Sequence, residues 1–144
     1  MSVMMQIARD VAAKVSTVPI SSGGETLNAV LDVAPDFDLS QVKARKVIVT
    51  PQSYARSNST RGESGATAKV NVCLVEKIAV SDAESRVTVM ETIASALERQ
   101  SLLNGGSPYA VITAIEFDPV YDAQLLRNSR VFLSICTVTV KVIR

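Results

Sequence analysis

VITAIEF at 111–117, DPVYDAQLL at 118–126 and RVFLSICTVTVKV at 130–142 decide the fold of this chain. Two β-branched, apolar runs flank a short polar segment containing Pro119. Such runs favour a pleated, half-buried surface, so they predict two neighbouring strands joined by a structured connection too long for a two-residue turn. Val140 and Val142 carry the second run almost to Arg144, so the chain is expected to end inside a sheet. The parity of that run is inconsistent: Val131, Leu133 and Ile135 are apolar at odd positions, Cys136, Val138, Val140 and Val142 at even ones. A strand buried on one face needs a bulge near Ile135–Cys136 to do this. The alternative is burial of both faces along part of its length. In a domain with two helices, the second cover would come from another subunit.

Working back, Val87, Met90, Ile93, Ala94 and Leu97 recur at helical spacing, with Glu91, Glu98 and Arg99 outside. Ser81 with Glu84 fits a capping box, and Asn104-Gly105-Gly106 before Pro108 predicts the helix end. Lys69 to Ile78 alternates cleanly: Val70, Val72, Leu74 and Ile78 on one face, Lys69, Asn71, Cys73 and Lys77 on the other. It is expected to pair with KVIVT (46–50), a short strand ending before Pro51. Between them, PQSYARSNSTRGESGA (51–66) has no apolar period and predicts a long flexible loop. Thr26 to Val33 reads as an imperfect strand, and Met4, Ile7, Ala8, Val11 and Val15 as the buried stripe of a helix from about Ser2 to Thr17, stopped by Pro19.

The 144 residues fit one domain spanning 1–144, and 47% apolar with 20% charged residues is an ordinary globular balance. A net charge of +1 argues against strong electrostatic binding of nucleic acid by the whole monomer, although a local patch repeated by symmetry is not subject to that argument. Charges at Arg9, Asp10 and Lys14 argue against a secretory leader, and no run approaches the roughly 18 apolar residues of a membrane helix. The expectation is a soluble protein made in the cytoplasm, with no membrane partner.

Histidine is absent, which removes the commonest general base, the usual triads and most zinc sites. Cys73 and Cys136 lie in strand-like runs and are expected as reduced, buried thiols, a cross-strand disulfide being the lesser reading. Asp36 and Asp38 are spaced like the first ligands of a calcium loop, but Ser40 and Gln41 replace the third acid and the glycine. Gly23-Gly24 lacks the Lys-Ser/Thr of a phosphate loop. The acids Asp32, Asp36, Asp38, Glu116, Asp118 and Asp122 would serve an enzyme only if they converged in space. The basic run KARK (43–46) lacks the interleaved aromatics of a nucleic-acid surface. No catalytic residue, cofactor or metal is therefore expected.

Phe37-Asp38-Leu39 leading to Val47-Ile48-Val49-Thr50-Pro51, the run Val70 to Lys77, and Asp118-Pro119-Val120-Tyr121-Asp122 with Leu125-Leu126 before a strand form a familiar order. That order resembles the tail terminator (head-tail joining, neck) proteins of long-tailed bacteriophages, over most of the chain from about Met4. The resemblance implies an α+β fold, a mixed or antiparallel sheet of about four to five strands with two α-helices packed on one face. It also implies a virion protein without catalysis, forming a homo-hexameric ring on the head-proximal end of the tail tube. Its partners would be the tail tube protein, the head-tail connector or adaptor and, in a contractile tail, the sheath; DNA would pass through the lumen without sequence-specific binding. Under this reading Tyr54, Arg56, Arg61 and Glu63 are the candidate partner contacts. The runners-up are another neck component, such as a head-completion or connector-adaptor protein, and a small-ligand-binding or enzymatic α/β domain.

Overall fold

In the computed structural model, which describes residues 3–19, 29–31, 45–58, 64–104, 106–117 and 120–142, the two runs of the last third form adjacent antiparallel strands. The elements are α1 (Val3–Thr17), β1 (Ala29–Leu31), β2 (Lys46–Asn58), β3 (Ser64–Lys77), a 3-10 turn (Val80–Asp82), α2 (Ala83–Leu97), β4 (Ser101–Asn104), β5 (Ser107–Phe117), α3 (Ala123–Ser129) and β6 (Val131–Val142). The strands make one six-stranded sheet in the order β1-β2-β3-β6-β5-β4. Its pairs are antiparallel except β1 with β2. The α+β class stands, with two corrections: the sheet has six strands rather than four to five, β4 being the addition while β1 lies within the strand expected at Thr26 to Val33, and three α-helices rather than two are present among the described residues.

The core lies between one face of the sheet and α1 with α2. From α1 come Ile7, Ala8, Val11, Ala12 and Val15, and from α2 come Met90, Ile93 and Leu97. Beneath them lie Val47 and Val49, then Ala66, Ala68, Val70, Val72 and Leu74, then Phe132, Cys136, Val138, Val140 and Val142. The Ser16 hydroxyl donates to the Ala12 carbonyl at 2.9 Å and accepts from the Ala29 amide at 3.0 Å, tying β1 to α1.

Residues 51–66 are not a long loop. Residues 51–58 continue β2, 64–66 begin β3, and 59–63 lie outside the described residues. The alternation was present, with Ala66, Ala68 and Val70 buried and Thr67 and Lys69 exposed, but alanine carries too little hydropathy to announce it. Backbone pairing supplies the rest, since β3 is bonded along its length by β2 and β6. Nor does β2 stop before Pro51. The register slips between Pro51 and Ser53, leaving Gln52 as an extra residue where proline withholds an N–H.

No bulge interrupts β6, which pairs with β3 without a break from Val131 to Val142. The bulge falls instead in β5, where Ile112 opposes Val140 and Ala114 opposes Thr139. Thr113 is the extra residue, and it switches the inward parity from Ala110 and Ile112 to Ile115 and Phe117. Both faces of β6 are apolar at its start because α3 covers that end. Leu126 joins the main core, while Leu125, Leu133 and Ile135 pack with Cys73, Val75 and Val131 on the other face. The second cover thus comes from the same chain, not from another subunit. α3 escaped the sequence reading because it has seven residues and a single buried one. It is held by Asp122, whose carboxylate accepts from the Leu125 amide at 3.0 Å, and by a left-handed Arg130 at its end.

The capping box at Ser81 is not made: a 3-10 turn precedes α2, and Asp82 stands at the N-cap with no side-chain cap bond. α2 ends at Leu97, earlier than Asn104-Gly105 suggested, with Arg99 at φ 61° turning the chain into β4. Cys73 and Cys136 are free, buried thiols. They lie on neighbouring strands but on opposite faces, since Cys73 opposes Ile135 and Cys136 opposes Val72. That arrangement rules out a bond between them, and burial pushes each thiol up to about 12.

Candidate functional site

The residues singled out from sequence separate in space. Tyr54 opposes Ala68 and is half-buried against the main core, so its ring is a packing element. Arg56 opposes Ala66 on the same face of the hairpin but is exposed. Arg61 and Glu63 lie outside the described residues. Of the acids, Asp122 is the cap of α3, and Glu116 is exposed opposite Thr137. Asp32, Asp36, Asp38 and Asp118 also fall outside the described residues. Among the described residues no group of His, Cys, Asp or Glu could hold a metal ion.

A charged cluster missed in the sequence sits where β3 leaves the sheet. Glu76 occupies the inward parity after Val70, Val72 and Leu74, at the edge of the core. Arg86 of α2 donates through Nε at 2.7 Å and through a terminal nitrogen at 3.2 Å. Arg45, just before β2, donates through Nε at 3.0 Å. Burial would raise the Glu76 carboxyl, but these hydrogen bonds and the two guanidinium charges outweigh it and hold the group below the ordinary carboxylate range. The signal was available: a glutamate at an inward strand position requires a cation. With both cations engaged by one carboxylate, the cluster is a clasp joining β2, β3 and α2, not a site for substrate.

A second polar contact clamps α1 to the far side of the sheet. Tyr109 is the extra residue where β4 meets β5 (Leu102 opposes Ala110, Leu103 opposes Pro108), and its hydroxyl donates to the Asp10 carboxylate. Burial, together with that acceptor, raises the phenol.

The groove between the end of α2 and β5 has a volume of about 320 Å³ and is lined by Ser95, Glu98, Arg99, Thr113, Ile115 and Phe117 among others. Its carboxylate and guanidinium come from successive residues at a helix end, with no third polar group converging from β5 beyond the Thr113 hydroxyl, which donates to the Thr139 carbonyl.

A further accessible feature is the sheet face turned away from α1 and α2. The register puts Val30, Ile48, Cys73 and Ile135 in one row across it, and Lys46, Val75 and Leu133 in the next. Toward the other end come Asn71 and Thr137, whose hydroxyl donates to the Asn71 amide oxygen at 2.9 Å, then Lys69 with Thr139, then Thr67 with Lys141. α3 covers only the first part. Val30 is 54% exposed, and Lys46, Lys69, Lys77 and Lys141 are all exposed.

No family model matches the chain, and no curated protein sequence does either. Among solved structures the chain is similar to one in the virion of a native gene transfer agent particle, with 14% identity over 96% of this chain and 90% of that one, at a TM-score of 0.46.

Proposed function

We propose that this chain is a structural, non-catalytic virion subunit of the tail-terminator kind, which closes the head-proximal end of a tail tube as a homo-hexameric ring and joins it to the head connector. The observation that carries the reading is the half-covered sheet. Two helices protect one face, α3 protects one end of the other, and among the described residues no element covers the remainder of the six-stranded surface. A subunit whose neighbours complete its cover has this construction. The element order agrees with the resemblance read in the sequence: an N-terminal helix, the KVIVT strand and its hairpin return, a second helix, then two strands flanking DPVYDAQLL. In this reading the outer part of the β2–β3 hairpin, where Arg56 is exposed, faces the tube.

Native mass measurement with negative-stain images of the same sample, alone and with added tail tubes, tests this. Six-fold rings, free or seated on tube ends, are expected. A monodisperse monomer indifferent to tail tubes would overturn the reading. Rings that bind a head connector and ignore tubes would reassign the chain to another part of the neck.

A further inference from the structure

We propose that the open part of the sheet seats a second copy of this chain, which lays the outer stripe of its α2 across the lysines of β3 and β6. The inference rests on the ring reading above and names the contact that would build the ring.

The sheet side of the contact is fixed by register. Thr67 opposes Lys141 and Lys69 opposes Thr139, while their chain neighbours Ala66, Ala68, Val138 and Val140 point into the core. Lys69 and Lys141 are thus diagonal neighbours on central strands, about 7–8 Å apart at their backbones. Lys77, at the other end of β3, and Lys46, close by on β2, lie where α3 already covers the sheet, so the open part is the Lys69–Lys141 end. None of these lysines is in an ion pair among the described residues. The acid on this face is Glu116, opposite Thr137.

The helix side is equally regular. Glu84, Thr88, Glu91, Ser95 and Glu98 follow one another at alternating spacings of four and three along α2 and its first following residue, and all are exposed. This is the stripe diametrically away from Met90, Ile93 and Leu97. Its carboxylates are about 10.5 Å apart and span about 21 Å, so two successive ones, such as Glu91 and Glu98, can each reach one of the flexible side chains of Lys69 and Lys141. Arg86 is turned aside to Glu76 and does not neutralise the stripe.

The two surfaces lie on opposite sides of one molecule, so they cannot meet within it. Their signs are complementary, while each repels its own kind. A two-fold dimer would set like against like. A head-to-tail contact is therefore favoured, and its repetition closes a ring when the rotation permits. Exposed pairs are individually weak and screened by salt, so assembly should fall as ionic strength rises.

The test is a charge swap, with the fold of each variant checked by its melting curve. K69E/K141E and E91K/E98K should each weaken self-association at least about tenfold. The chain carrying all four substitutions should recover it, because the reversed surfaces again attract. Wild-type assembly that is indifferent to both reversals would overturn this contact and leave the ring reading standing. Failure of the swapped chain to recover, with its fold intact, would also overturn it. A wild-type chain that never assembles, alone or on tubes, would remove the ring reading and this inference with it. If K69E/K141E assembles normally but loses retention on a double-stranded DNA column, the face serves nucleic acid and the proposal is wrong.

Discussion

The two halves of β6 are built from similar residues and live in different surroundings. From Val131 to Ile135 the strand is covered on both faces, by the main core on one and by Leu125 of α3 on the other. From Thr137 to Val142 it is covered on one face, and the opposite positions are threonine, threonine and lysine. Alternation in a sequence therefore reports the number of covers as well as the presence of a strand. One chain moves from a two-sided to a one-sided environment within a few residues, without any break in its ladder.

The largest expected effect lies in the first half. Phe132 is fully buried and stacks on Tyr121 with ring centroids 5.8 Å apart. Phe132→Ala should cost about 3–5 kcal/mol in a urea or thermal unfolding experiment. Lys69→Ala, on the open face, should stay within about 0.5 kcal/mol. Equal losses would break the comparison.

Removing the second cover should be milder. Leu125→Ala is expected to cost about 1–2 kcal/mol, because this side chain is only half-buried. Its sharper readout is thiol labelling: Cys73, on the α3 face, should react faster in the variant, while Cys136, on the other face, should not change.

Glu76 opposes Phe132 at the doubly covered end. Its folded carboxyl is held below its unfolded value, so the stabilisation is complete above the ordinary carboxylate range and is lost as pH falls through the lowered value. Glu76→Gln should therefore lower stability by about 1 kcal/mol at neutral pH and flatten the acid limb of the stability curve. An unchanged acid limb would mean that the clasp makes no net contribution.

The smallest change should have the opposite sign. Ser134 faces the core from the middle of the covered half, and its buried hydroxyl makes no hydrogen bond among the described residues. Ser134→Ala should be neutral or stabilising by up to about 1 kcal/mol, measured as a higher melting temperature.

The elements that were legible from sequence are those in which strong hydropathy and regular spacing coincide: Ile7 to Val15 in α1, Val70 to Leu74 in β3, Met90 to Leu97 in α2. The elements that were not owe their state to neighbours. β4 is a strand because β5 offers it a ladder, and Leu102 and Leu103 carry no sign of that. The hairpin extension is written in alanines, and α3 in one buried leucine. The inconsistent parity of Val131 to Val142 was read correctly as two-sided burial or a bulge. The sequence expectation places that cover in another molecule because it reads DPVYDAQLL as a structured connection without a helix of its own, where a seven-residue helix stands. Of the candidate contact residues Tyr54 packs inward and Arg56 is exposed, while the make-up of the charged clasp around Glu76 is not legible in sequence because its members come from β3, α2 and the approach to β2.

The margins of the sheet have a consequence for the fate of the protein at high concentration. Among the described residues β1 pairs with β2 only at Val47–Val49 and no strand pairs with the outer half of β2 on that side, where the chain carries Pro51 and the extra residue Gln52. Beyond β4, the edge of β5 turned away from β6 likewise has no strand partner among the described residues, and it carries the extra Thr113. Each irregularity breaks the even row of donors and acceptors that a foreign strand would need as a template. These two extra residues thus guard the margins against edge-to-edge association of copies of the chain.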